Sequence, residues 1–227
     1  MDDDAPGRRY SRAGRKGGTY RRQPRREPRY TQRPGPDPAQ ILGAIIALNV
    51  AVFVLWNLTV HSPVGAILRA NLTVQRALVA AQPWTLLTYG ITHYDANHLL
   101  FNMFGLWVFG RPVAERYGWL DLVVLYVGGT LLGGVAHVVT SPAPALGASA
   151  AVMAVAATYG LTYPNRTLLL GFILPIPAWL AVVLFVGIDT MGVLGAGDGI
   201  AHAAHLGGAA FGVGLWAWRA RTRWGRR

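Results

Sequence analysis

Charge is confined to the ends of this chain. Of its 21 Lys and Arg residues, 11 precede residue 40, 5 follow residue 218 and only 5 fall between. What lies between is a series of apolar runs, and a helix needs about 20 apolar residues to cross a bilayer. Inside lipid every backbone N–H and C=O must be satisfied within the protein, which leaves helices or closed barrels. Runs of this length in series therefore predict an all-α polytopic membrane protein. A net charge of +11 in a soluble protein points towards nucleic acid. Here it reports two basic tails, so the expected partner is the lipid bilayer and no nucleic acid is expected. The chain has no Cys, which excludes a disulfide framework and thiolate zinc sites.

Residues 1–39 are rich in Arg, Gly, Pro and Tyr, too polar to offset their ordering entropy, and read as a disordered basic tail. Each basic residue held near anionic lipid contributes about 1 kcal/mol. Residues 40–218 read as a membrane domain with six spans, and 219–227 as a second short basic tail. The spans cover about 41–60, 97–109, 120–139, 145–163, 168–188 and 199–218, the fifth interrupted early by Pro175 and Pro177. The first is too long, and too poorly followed by a cleavage pattern, for a removed signal peptide. Arg111 and Arg116 mark the second-to-third turn as cytoplasmic, and Arg166 marks the fourth-to-fifth likewise. Both basic tails then belong on that side too, as six crossings require. The 61–96 connection, with Arg69 and Arg76, fits this pattern less well.

In this topology the second, fourth and sixth spans run in the same direction, and each opens with polar side chains. The second begins Asn97-His-Leu-Leu-Phe-Asn102, the fourth Leu146-Gly-Ala-Ser149, the sixth Ile200-Ala-His-Ala-Ala-His205. Ionisable groups at membrane depth face a bundle interior or a watery cavity, and mark function. A serine hydroxyl becomes a useful nucleophile when a base takes its proton, and imidazole suits that near neutral pH. Ser149 and His205 are the natural pair. Gly208 and Gly212 on the sixth span, facing Gly147, Ala150, Ala151 and Ala154 on the fourth, allow two membrane helices to approach closely. His98 and Asn102, four apart on one helical face, are candidate donors to an oxyanion. The amides at the start of the fourth span, at the positive end of its dipole, add to the same site.

His98-Leu-Leu-Phe-Asn102, Gly147-Ala-Ser149 and Ala204-His205-Leu-Gly-Gly208 resemble, in order and placement, the three signature stretches of rhomboid intramembrane serine proteases. Gly110-Arg-Pro-Val-Ala-Glu-Arg-Tyr-Gly118 is similar to the family's segment after its second helix. The resemblance covers about 41–218. It implies a six-helix rhomboid-like bundle in a bacterial cytoplasmic membrane, with both termini cytoplasmic. It also implies a Ser149–His205 catalytic dyad, with His98, Asn102 and Gly147 at the oxyanion and substrate site. The implied partner is a transmembrane helix of a substrate protein, entering beside the fifth helix, where Pro175 and Pro177 would ease bending. Trp84 matches an interfacial anchor of the family's first loop, with Thr85 where an arginine commonly follows. Two further departures are Ala150, where the family has a glycine after the serine, and Met153, where an aromatic ring often stacks on the imidazole. Both predict a change of rate or geometry rather than loss.

No cofactor is implied, and oligomeric state is left open. His202 is expected on a solvated rim, Asp189 and Asp198 at solvated positions near the outer face, and His61, His93 and His137 in structural roles; no triad is expected. Two other classes remain. One is a catalytically inactive rhomboid-like protein that binds membrane helices, for which Ala150 argues. The other is a metal-dependent protease using His202 and His205, against which stands the lack of a His-Glu-x-x-His pattern and of carboxylates on the same helix.

Overall fold

A computed structural model describes residues 35–171, 173–195 and 199–224, so most of the first tail, the tip of the second and Asp198 lie outside the described residues. The chain is mostly helical. Helix α1 (Pro38–Thr59) starts where Asp37 accepts from the Ala39 amide and Pro38 presets the first turn. It buries only Leu42 and Asn49, while Leu48, Val50, Val54, Leu55 and Leu58 stay exposed. That is the pattern of a helix whose outer face meets lipid. The Asn49 amide reaches the Tyr126 hydroxyl at 2.9 Å, tying α1 to the bundle.

The 61–96 connection is structured, with α2 (Pro63–Leu72), the short α3 (Thr85–Thr88) and a 3-10 turn over Tyr89–Ile91. Helix α4 (Ala96–Tyr117) is capped by Asp95, which accepts from the His98 amide at 2.8 Å, and it ends at Gly118, whose φ is 98°. The segment Gly110–Tyr117, expected as a turn, is helical and carries Pro112 within the helix. Helices α5 (Trp119–Thr140), α6 (Ser149–Thr162), α7 (Ala178–Leu194) and α8 (His202–Trp224) complete the bundle. The sixth span therefore continues as helix past residue 218.

The fifth span departs most from expectation. Residues assigned to its start form an antiparallel hairpin, β1 (Thr167–Leu170) against β2 (Leu174–Pro177), so the chain is not purely α. Proline disfavours the α conformation in the residue before it, and Leu174-Pro-Ile-Pro177 holds four residues extended. Pro175 and Pro177 thus precede α7 and provide no bend within it.

Helix α6 is the centre of the bundle, with Ala150, Ala151 and Ala154 to Gly160 all buried. Helix α8 approaches it so closely that a side chain at Gly208 would overlap the Ala150 carbonyl, and one at Gly212 the Ala154 carbonyl. The Thr158 hydroxyl bonds across to the Gly212 carbonyl at 3.2 Å. The small-residue faces read from the sequence are the faces in contact. A core of Leu106, Val113, Leu122, Leu125, Val155 and Tyr159 fills the other side of α6, among α1, α4 and α5. Among the described residues, α1 and α5 are long and apolar enough to cross a membrane, and α6 and α7 are apolar but shorter. The polar side chains of the site come from α4, α6, α7 and α8.

Candidate active site

Ser149 is the first residue of α6, and the chain before it is held from three sides. Val74 and Ala145 form a β-bridge with backbone bonds of 3.0 and 2.9 Å. The Gly147 amide donates to the Tyr89 carbonyl at 2.9 Å, and the Ala148 amide to His93 Nε2 at 3.4 Å. The first connection therefore clamps the loop that presents the serine. Gly147 has φ 127°, a region that disfavours side chains. A Cβ there would lie 2.7 Å from His98 Nε2. Its place is to admit the His98 ring, since its own N–H is already taken. The amides of Ser149, Ala150 and Ala151 open the helix ahead of its first i→i−4 bond, from Val152 to the Ala148 carbonyl at 2.9 Å.

His93, expected to be structural, is fully buried. Burial first, and the neighbouring His98 second, push its pKa down to about 3, so it is the neutral acceptor for the Ala148 amide. Its ring meets that of His98 edge-on at 5.1 Å. His98 Nδ1 lies 3.5 Å from the Tyr94 amide. Acceptance there assigns the proton to Nε2, the nitrogen beside Gly147. Asn102 is buried one turn on, its amide donating to the His98 carbonyl at 2.8 Å. The NH₂ group has a second hydrogen to offer. Helix α4 packs on α6, and the His98 ring borders Gly147, two residues before Ser149.

On the other side, His205 Nε2 is 2.8 Å from Ser149 Oγ, a full hydrogen bond between residues 56 apart in sequence. The other ring nitrogen, Nδ1, is 2.8 Å from Asp189 Oδ1. Here the structure corrects two expectations. Asp189 is buried on α7, not solvated near the outer face, and it completes a Ser–His–Asp chain where none was expected. His202 is also buried rather than a solvated rim residue, and its Nδ1 is 2.8 Å from the same carboxylate oxygen. A side chain at Gly192 would overlap the His202 ring, so that glycine admits the imidazole. The signal for Asp189 was in the sequence: a lone acid in an apolar run. Starting the fifth span at 168, inside the hairpin, ended it at 188, one residue too early.

Residues 80–222 match the family described as Rhomboid domain. The chain belongs to the rhomboid family. It is similar to RHOMBOID-like protein 12, mitochondrial, of Arabidopsis thaliana, 31% identical over 211 residues, or 82% of this chain and 59% of that one. It is 29% identical over 190 residues to Rhomboid protein 1, mitochondrial, of Saccharomyces cerevisiae (80% and 53% covered). It is 30% identical over 184 residues to the human Presenilin-associated rhomboid-like protein, mitochondrial (78% and 48%). The chain thus spans about half to three fifths of the length of these relatives.

In this rhomboid chain the departure at Ala150 has a local explanation. Ala150 is buried and its methyl abuts Gly133 of α5, where any side chain would crowd it and the Ala204 carbonyl. The space a glycine would leave on α6 is thus filled by a methyl opposite a glycine on α5. Asp189, His202 and His205 also offer three ligand atoms within 4.8 Å of one another. The carboxylate missing from the His202/His205 helix is therefore supplied by α7, although both Nδ1 atoms lie at hydrogen-bond distance from it.

Proposed function

We propose that this chain is an intramembrane serine endopeptidase that cleaves peptide bonds in or near transmembrane segments. The observation that carries the reading is the 2.8 Å contact between His205 Nε2 and Ser149 Oγ. Ser149 Oγ attacks the scissile carbonyl carbon as its proton passes to His205 Nε2. The resulting oxyanion lies against the amides opening α6, with His98 Nε2–H and the Asn102 amide as further donors. Each such donor contributes roughly 3 kcal/mol of transition-state stabilisation. His205 returns the proton to the leaving nitrogen as the C–N bond breaks. Water then attacks the acyl-enzyme by the same relay, releasing the second product and restoring the serine.

In the proposed topology α1, α4, α5, α6, α7 and α8 are the six spans, and both termini lie on the cytoplasmic side of a bacterial membrane. Ser149 then lies below the opposite surface, where water enters. The curated relatives carry organellar names, which support a membrane location in general rather than this membrane. The substrate is a membrane protein's own helix, cut where small residues or glycine let it unwind, since an intact helix shields its carbonyls. Helix α7 exposes Val183, Ile188 and Met191, an apolar flank suited to lateral contact with such a helix.

The test is cleavage of a transmembrane reporter in liposomes, together with labelling by a fluorophosphonate. Wild type should cut and be labelled, and Ser149→Ala and His205→Ala should do neither. Full activity in either variant refutes the mechanism. A binding protein that recognises helices without cutting is the competing reading, favoured by Ala150 alone; it predicts no labelling of wild type. Activity abolished by chelators, with Ser149→Ala intact, would instead indicate the metal-dependent reading at Asp189, His202 and His205.

A further inference from the structure

We propose that Asp189 is a positioning residue that, with His202, fixes the tautomer and orientation of His205. The inference rests on the protease reading and adds a fourth helix, α7, to its machinery. One carboxylate oxygen lies 2.8 Å from His205 Nδ1 and 2.8 Å from His202 Nδ1. An ionised carboxylate only accepts, so both bonds require N–H at Nδ1. With Nδ1 protonated, neutral His205 turns a lone pair on Nε2 towards Ser149 Oγ, the form that can take the serine proton. When that proton arrives, the imidazolium forms beside the carboxylate, and no proton moves to Asp189. His202 anchors the carboxylate from the second side, and Gly192 leaves room for its ring. All three groups are at least half-buried, so water competes little for these bonds. An acid in an apolar helix is costly, and two imidazole donors provide its compensation.

Asp189→Asn keeps the shape but offers an NH₂ that can bind the Nδ1 lone pair, favouring the tautomer with Nε2–H facing Ser149. The expected result is a fall in kcat of at least about 100-fold for the reporter in liposomes, with KM within about threefold. Asp189→Glu should restore part of kcat. A second measurement leaves Asp189 intact: nitrogen-15 NMR of ring-labelled wild type in detergent, with His205→Gln used to assign the signal. It should show His205 protonated at Nδ1 near neutral pH. A wild-type His205 protonated at Nε2 overturns the inference, as does Asp189→Asn turning over within about twofold of wild type. In both cases fluorophosphonate labelling of Ser149 in wild type shows that the protease reading survives. Wild type that is neither labelled nor active overturns both.

Discussion

A methyl group placed on Gly208 should disable the site without touching any of its polar atoms. A Cβ at this position would lie 2.7 Å from the Ala150 carbonyl carbon and 2.9 Å from its Cα. Carbon atoms rest at about 3.5–4.0 Å and the Ala150 carbonyl oxygen is closer still, so α8 must retreat from α6 by at least about 0.8 Å. Ala150 directly follows Ser149, and His205 lies less than one turn before Gly208. The same retreat stretches the Ser149–His205 contact from 2.8 Å to roughly 3.6 Å, beyond hydrogen-bond range. A displacement near 1 Å of a reacting group costs about 100-fold in rate, and overpacking costs about 1–3 kcal/mol of stability. Gly208→Ala should therefore lose about 100-fold in kcat/KM for a transmembrane reporter and unfold earlier in detergent. Gly214→Ala is the control, because nothing lies within 4 Å of its Cβ position on the same helix. If Gly208→Ala matches Gly214→Ala in both activity and Tm, close approach of α6 and α8 is not what builds the site.

The His93 imidazole, with its pKa pushed down to about 3, should make stability fall in mild acid. Its contribution is complete above the unfolded value near 6.5 and declines by about 1.4 kcal/mol per pH unit as pH drops towards 3. About 2 kcal/mol should be lost between pH 6.5 and 5, measured by denaturation in detergent, and His93→Gln should flatten that slope. Asp121 and Arg219 form an ion pair joining α5 to α8 near the end far from Ser149. Asp121→Asn strands the arginine and should cost about 3 kcal/mol, while pairing it with Arg219→Gln recovers part of the loss in the same unfolding assay. Ala150→Gly should remove a buried methyl worth about 1 kcal/mol and leave cleavage within about tenfold. A gain of 100-fold would mean that Ala150 holds the site shut.

The legible parts of the site were those carried by one helix at a time. His98 and Asn102 share a face because four residues make about one turn, and Gly208 and Gly212 share another for the same reason. Ser149 was legible because a hydroxyl at the start of an Ala-rich helix stands out. Asp189 was not, although it is the only acid in its apolar run. Two prolines moved the start of α7 from 168 to 178, and with it the end of the helix and the depth of the acid. Nor could periodicity reveal that the 61–96 connection folds back to hold the serine loop, since the bonds from Tyr89, His93 and Val74 join residues more than 50 apart.

Hydropathy marked the apolar helices and their order, because lipid leaves a backbone no alternative partner, but it missed α2, α3 and the hairpin. Which side chains meet was decided only in three dimensions. The bond from His205 to Asp189 and the one from His205 to Ser149 depend on how α6, α7 and α8 are stacked and rotated, and that depends on glycines and alanines whose effect is felt only when two surfaces are pressed together.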